Sequence, residues 1–329
     1  MSYANILASA SVEVSARGNH LAELIECCQP GTEAFLTWLP GDDPARQVAV
    51  AASIARAGFH AVPHIAARSF ATIRALDDFL ARAVGEAGVS RLLLIAGDQP
   101  EPRGPFASSL QVLETGTLQK HGIKLVYLAG HPEGHRRVAR EVMDDALRQK
   151  LAWGSDAGIA MGVVTQFCFE PAPVVAWLQH FQSEFAVPVR IGLAGPATPA
   201  TLLKIALRCG VGNSVRTLQS QTARFTRLLV ETAPNDIVEG LIAAVSEQRL
   251  RALPGFHVFP FGGLRAMPDG SNRETLTIWP WSADLRRRCE PMRLSRGFSL
   301  WGTEKENEGR RRPLSPGCEA FVQAVASLR

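Results

Sequence analysis

No stretch of this chain approaches the roughly 18 consecutive apolar residues that a membrane span requires. Met1 to Ala10 lacks the basic start and sustained apolar core of a secretory signal. Cysteine is sparse and scattered: Cys27, Cys28, Cys168, Cys209, Cys289 and Cys318 contain no CxxC pair for zinc or redox work, and adjacent cysteines rarely bridge each other. These absences point to a reduced, cytoplasmic protein with no membrane partner. Net charge is +4 with a pI of about 8.9, yet the first two-thirds has no Lys/Arg stripe with interleaved aromatics, which argues against nucleic acid. No GxGxxG follows the first apolar run, which argues against a doubly wound dinucleotide fold. There is no HExxH, no internal repeat beyond a strand–helix unit and no low-complexity tract.

What is present is an alternation. Of 329 residues, 46% are hydrophobic and 20% charged, enough to bury a substantial core. Strand-like runs occur at 11–14, 34–39, 60–64, 91–96, 124–129, 162–169, 188–193 and 256–261. Helical patterns fall between them at 19–28, 44–57, 72–87, 108–121, 136–153, 173–185, 199–209, 215–230 and 236–253. Pro44 suits a first helical turn, and Gly58, Gly88 and Gly122 suit helix ends. Eight strands alternating with helices predict an α/β (β/α)8 TIM barrel over residues 1–263. From Leu264 the pattern changes. Residues 264–329 form a C-terminal extension with Trp279, Trp281 and Trp301, arginine runs at 286–288 and 310–312, and a short amphipathic helix at 316–328. Its arginines read as solvated, or as a grip on an anionic ligand tail.

Polar residues at the carboxyl ends of buried strands are where such a barrel builds its site. Glu13 is the single acid in an otherwise apolar first strand. Burial should raise its pKa and make it a proton donor near neutrality, unless it is a core carboxylate paired with Arg17. Asp98 follows Gly97 at a strand end. Gln166 is a neutral amide in an apolar strand, able to read the donor and acceptor pair of a heterocycle or to be satisfied by backbone. Phe167 and Phe169 read as barrel filling. His131, Glu133 and His135 invite a metal, but Pro132 and Gly134 deny the helix that would align the two imidazoles, so no metal is expected and a loop contacting a ring and its phosphates is.

Taken in order, SVEV, VPHIAAR, LLLIAGDQP, FASSL, AGHPEGH, VVTQFCFEP, RIGLAGP and FHVFPF resemble the methylenetetrahydrofolate reductase family, over residues 11–261. The resemblance implies a flavin-binding barrel that interconverts 5,10-methylenetetrahydrofolate and 5-methyltetrahydrofolate, with FAD as cofactor and NADH or NADPH as co-substrate. It implies Glu13 as the general acid that opens the methylene bridge to an iminium. Asp98 would lie beside the flavin and pterin, with Gln166 and Phe169 against the folate. His64, Ala96, Gly97, Asp98, Phe106, Ala107, His131 and His135 would line FAD, with Lys150 facing its phosphates. The chain departs from the family pattern at Leu39, Ala96, His131 and Gly262-Gly263. Two alternatives stand beside this one: direct hydride transfer on the same barrel without flavin, and a non-redox folate-binding partner of a methyltransferase. A homo-oligomer is compatible with all three.

Overall fold

Each strand of the computed structural model alternates between two environments, and that alternation positions the site. The structure describes residues 9–18, 20–135, 138–195, 197–209, 235–251 and 254–266. Within them, eight parallel strands close in sequence order: β1 (Ser11–Ser15), β2 (Glu33–Thr37), β3 (His60–Ala66), β4 (Arg91–Ile95), β5 (Leu125–Gly130), β6 (Ala160–Cys168), β7 (Val189–Ala194) and β8 (Gly255–Phe259). Helices lie between them: α1 (His20–Cys27), α2 (Pro44–Arg56), α3 (Ile73–Ala87), α4 (Ser109–Glu114), α5 (Thr117–Lys120), α6 (Arg140–Ala157), α7 (Pro171–Glu184), α8 (Pro199–Cys209) and α9 (Asn235–Ser246). The predicted (β/α)8 barrel is therefore the fold.

One face of each strand packs outward against helices. Val12, Val14, Leu36, Ile65, Leu94, Leu128, Ile191, Phe256 and Val258 belong to that outer core with Leu24, Leu76, Leu80 and Leu178. The other face fills the barrel, where Phe35, Val62, Leu93, Tyr127 and Val164 form a separate cluster. Period-two alternation thus turns Glu13, His64 and His257, each flanked by outward-facing neighbours, to the inside. The floor is ionic. Glu33 accepts from Arg91, from Arg190 at 2.7 Å and from the Tyr127 hydroxyl at 2.9 Å, so this buried carboxylate is offset by two guanidiniums and held by a third donor.

Local signals behaved as their chemistry requires in most places. Pro44 opens α2 behind an Asp43 cap, and Gly88 closes α3 in the left-handed region. The helix expected over 108–121 is instead two, α4 and α5, parted at Gly116 with φ +69. α6 begins at Arg140 and is stopped by Gly158 at φ +66, and α9 ends at Ser246 rather than near 253. On α1, Leu24 is buried while Ile25 is 59% exposed, so the inward stripe is narrower than the sequence pattern suggested. The helices expected at 215–230 and 316–328, and the tryptophans and arginine runs of the extension, lie outside the described residues. The start of the extension docks on α1: Leu264 N–H donates to Glu23 at 2.9 Å and Arg265 pairs with Glu26.

Candidate functional site

Barrel closure sets β1 beside β8, with Ser11 opposite His257 and Val12 opposite Val258. That register brings His257 Nε2 to 2.9 Å from Glu13 Oε2 and His257 Nδ1 to 2.9 Å from Ser11 Oγ. A carboxylate only accepts, so Nε2–H donates to Glu13 and Nδ1 receives the Ser11 hydroxyl. From β3, His64 Nε2 approaches the same oxygen at 3.5 Å; it is buried and has no hydrogen-bond partner. The Phe35 ring packs edge-on to both imidazoles.

The expected rise in the Glu13 pKa is reversed. Burial alone raises it, but the two imidazoles more than offset that and hold the carboxyl down to about 2. His257, fully buried, is pushed down by desolvation against the opposing pull of Glu13. Nor is Arg17 the partner of Glu13. It pairs with Asp42 at 2.6 Å and donates to the Pro40 carbonyl, tying the β2–α2 loop.

Above this cluster stands an aromatic wall. Phe167 meets Phe169, Phe259 and Phe261 at centroid distances of 5.5, 5.5 and 4.9 Å. Leu202 of α8 packs on it, with Ile205 and Cys209 alongside, forming a cluster apart from both the outer core and the barrel filling. Cys209 is raised to about 11 by burial and by the charges of Asp98 and Glu13. The last turn of α8 therefore lies within electrostatic reach of acids from β1 and from the β4 end.

β6 bulges at Gln166, where its register with β7 slips between Val164 and Phe167. Thr165 Oγ accepts from Gly192 N–H and donates to the Gln166 carbonyl. Gly192 permits this approach, since a Cβ there would stand 2.7 Å from Gln166 backbone. The Gln166 carboxamide oxygen accepts from Phe167 N–H at 3.1 Å, leaving its NH2 with no partner among the described residues. Asp98 is exposed, beyond Gly97 at φ +95. Arg68 organises this rim and gave no sign in the sequence: its guanidinium donates to the Gln99 and Ala107 carbonyls, and its backbone N–H to Ala96.

Beyond β5, His131 and His135 meet ring to ring at 5.7 Å, and Lys150 reaches in from α6 to 3.3 Å from Ser109 Oγ. His131 is pushed down to about 4 by burial, then by His135 and Lys150; burial also lowers Lys150. Lys150 has no carboxylate partner among the described residues. His131 and Lys150 are thus two basic groups in a partly desolvated setting. Glu133 belongs elsewhere: its carboxylate accepts from Phe169 and Glu170 N–H at 2.6 and 2.8 Å, just ahead of α7. Phe106, expected against a flavin, is 2% exposed within the outer core, and the Ala107 N–H is taken by Gln111. Among the described residues no three His, Cys, Asp or Glu converge as a metal site, and no helix is long and apolar enough to cross a membrane.

No protein-family model matches the chain. A solved structure described as an uncharacterized protein from Clostridium thermocellum that binds two copies of 5-methyl-5,6,7,8-tetrahydrofolic acid is similar over 78% of this chain and 90% of that one, with TM-score 0.50 and 10% identity. At that identity the likeness is one of fold. A second structure, AtPrR2 with NADP+ and (+)pinoresinol, covers 76% of this chain and 79% of its own at 14% identity, but its TM-score of 0.24 is below that of a shared fold.

Proposed function

We propose that this barrel binds a reduced folate and interconverts 5,10-methylenetetrahydrofolate and 5-methyltetrahydrofolate. The observation that carries the reading is Glu13, ionised inside the barrel beneath an aromatic wall. Opening a methylene bridge between two nitrogens creates an iminium cation. A fixed carboxylate in a water-poor site stabilises such a cation more than it stabilises the neutral ground state. Asp98 adds a second negative charge from the β4 end. The unpaired Gln166 NH2 offers a donor for a heterocycle edge, and Phe169 an apolar surface for an aryl group. The ordered motifs support the reading, as does the 5-methyltetrahydrofolic acid bound by the Clostridium thermocellum protein of similar fold.

We assign His131, His135 and Lys150 to hold the pyrophosphate of a dinucleotide cofactor, with His64, Ala96, Gly97 and Asp98 toward its ring. FAD, when bound, would pass hydride between a nicotinamide nucleotide and the one-carbon unit. Phe106 is buried in the outer core and the Ala107 N–H is held by Gln111, and this favours a second reading, a folate-binding protein without redox chemistry.

The visible spectrum of the purified chain, followed by anaerobic NADH and NADPH and by calorimetric titration with 5-methyltetrahydrofolate, separates the two. Folate binding with a flavin band bleached by a nucleotide supports the oxidoreductase. Folate binding by a chain that stays colourless with added FAD supports the second reading. Absence of folate binding overturns both. In the first case Glu13→Gln and Asp98→Asn should each slow folate turnover by at least about tenfold, the second slowing the folate half-reaction more than flavin reduction by the nucleotide.

A further inference from the structure

The strand β6 changes face halfway along. Val163 lies in the outer core and Val164 in the barrel filling, as period-two alternation requires. Continued alternation would send Phe167 outward and Cys168 inward. The reverse holds: Phe167 stands in the aromatic wall and Cys168 in the outer core. The inversion happens across Thr165 and Gln166, which together stand opposite Ile191 of β7, between the pairs Val164–Arg190 and Phe167–Gly192. Toward β5 the register stays regular as far as Thr165, opposite Gly130. An extra residue on one edge of a strand is a bulge, and a bulge re-aims the side chains beside it.

What holds this bulge is a side chain. A regular ladder would give the Gly192 N–H a β6 carbonyl. Here it donates to Thr165 Oγ1 at 2.9 Å, and the same hydroxyl donates to the Gln166 carbonyl at 2.8 Å. The Cys168 thiol also donates to that carbonyl, at 3.2 Å. Thr165 is 1% exposed, so without its hydroxyl the Gly192 N–H would be buried and unsatisfied.

We propose that Thr165 is a positioning residue for the ligand: its hydroxyl holds the β6 bulge, and the bulge sets Gln166 to meet the ligand with its NH2. The carboxamide oxygen is spent within the bulge, on the Phe167 N–H at 3.1 Å. Turning the amide over would set NH2 against N–H, donor against donor, and leave the Phe167 N–H without an acceptor. The ligand group that meets Gln166 is therefore an acceptor, a carbonyl oxygen or an unprotonated ring nitrogen. That contact rests on the folate reading above; the hold of Thr165 on the bulge does not.

The test is calorimetric titration with 5-methyltetrahydrofolate of the full chain, Thr165→Val, Gln166→Ala and the double variant. Each single change should weaken binding about fivefold, the worth of one hydrogen bond. The double variant should bind no worse than Gln166→Ala, and Thr165→Ser, which keeps the hydroxyl, should bind like the unmodified chain. A role in general stability would make the two losses multiply. Multiplied losses, unchanged affinity in either single variant, or no recovery in Thr165→Ser overturns the proposal. Amide hydrogen exchange without folate reads the bulge by itself. The Gly192 and Phe167 N–H should be protected in the unmodified chain and should exchange at least about tenfold faster in Thr165→Val. Unchanged exchange at Phe167 overturns the hold on Gln166. If the unmodified chain binds no folate, the folate reading falls, and exchange still decides what Thr165 does. Should Thr165→Val not fold, Thr165→Ala removes the same hydroxyl and takes its place. Should neither fold, an unprotected Gly192 or Phe167 N–H in the unmodified chain overturns the proposal.

Discussion

Replacing His131 with Gln should remove a large part of the acid sensitivity of the fold. Burial first, then His135 and Lys150, hold this imidazole down to about 4, against 6.5 for a free one. At about 1.36 kcal/mol per unit, the difference is worth about 3 kcal/mol. Between those two values the unfolded chain binds a proton that the folded chain refuses. Stability therefore falls as pH falls, fully present above 6.5 and lost by about 4. Urea unfolding of the unmodified chain and of His131→Gln, from about pH 7.5 to about pH 4, should give curves that diverge by about 3 kcal/mol. His257 is lowered as well, but it is common to both proteins and cancels in the difference. An anion beside the cluster should work the other way, favouring the protonated ring and shrinking the gap, and inorganic pyrophosphate is the probe. Parallel curves across the whole range would show that His131 is not desolvated beside His135 and Lys150.

The barrel floor gives a purely structural counterpart: Glu33→Gln strips the shared carboxylate from Arg91 and Arg190, and thermal melting should show a loss of about 3 kcal/mol. Glu133→Ala leaves the Phe169 and Glu170 N–H groups without their acceptor, at about 2 kcal/mol or more in urea unfolding, while Glu133→Gln, which keeps one acceptor oxygen, should lose less. Glu13→Gln should be destabilising above the ordinary carboxylate value of 4.5, with the difference from the unmodified chain disappearing as pH falls through about 2; a constant difference at all pH values would contradict an ionised Glu13.

The fold was legible because a parallel barrel writes its order locally. Each strand is a buried run bounded by glycine or proline, each helix carries its own stripe and stop, and neighbours in sequence become neighbours in the sheet. The misses follow from the same locality. Nothing near residue 116 distinguishes a glycine that interrupts a helix from one that ends it, and the second half of the α4–α5 segment is too short for periodicity to speak. What Phe106 and Glu133 touch was equally out of reach of the local sequence. Their surroundings are set by the outer core, where Phe106 packs, and by the start of α7, which Glu133 holds by two backbone N–H groups.

Glu13 shows where local reading fails for a physical reason. From the strand alone, burial is the only visible influence, and burial raises a carboxyl. The partners that reverse it stand on β3 and β8, and His257 arrives from 244 residues away because the last strand hydrogen-bonds to the first. The charge on Glu13 is thus a property of closure rather than of the β1 sequence. His257 drew no notice beside the aromatic residues around it, and Ser11 none beside Val12 and Val14, because each needs the other across the β1–β8 seam to acquire a role.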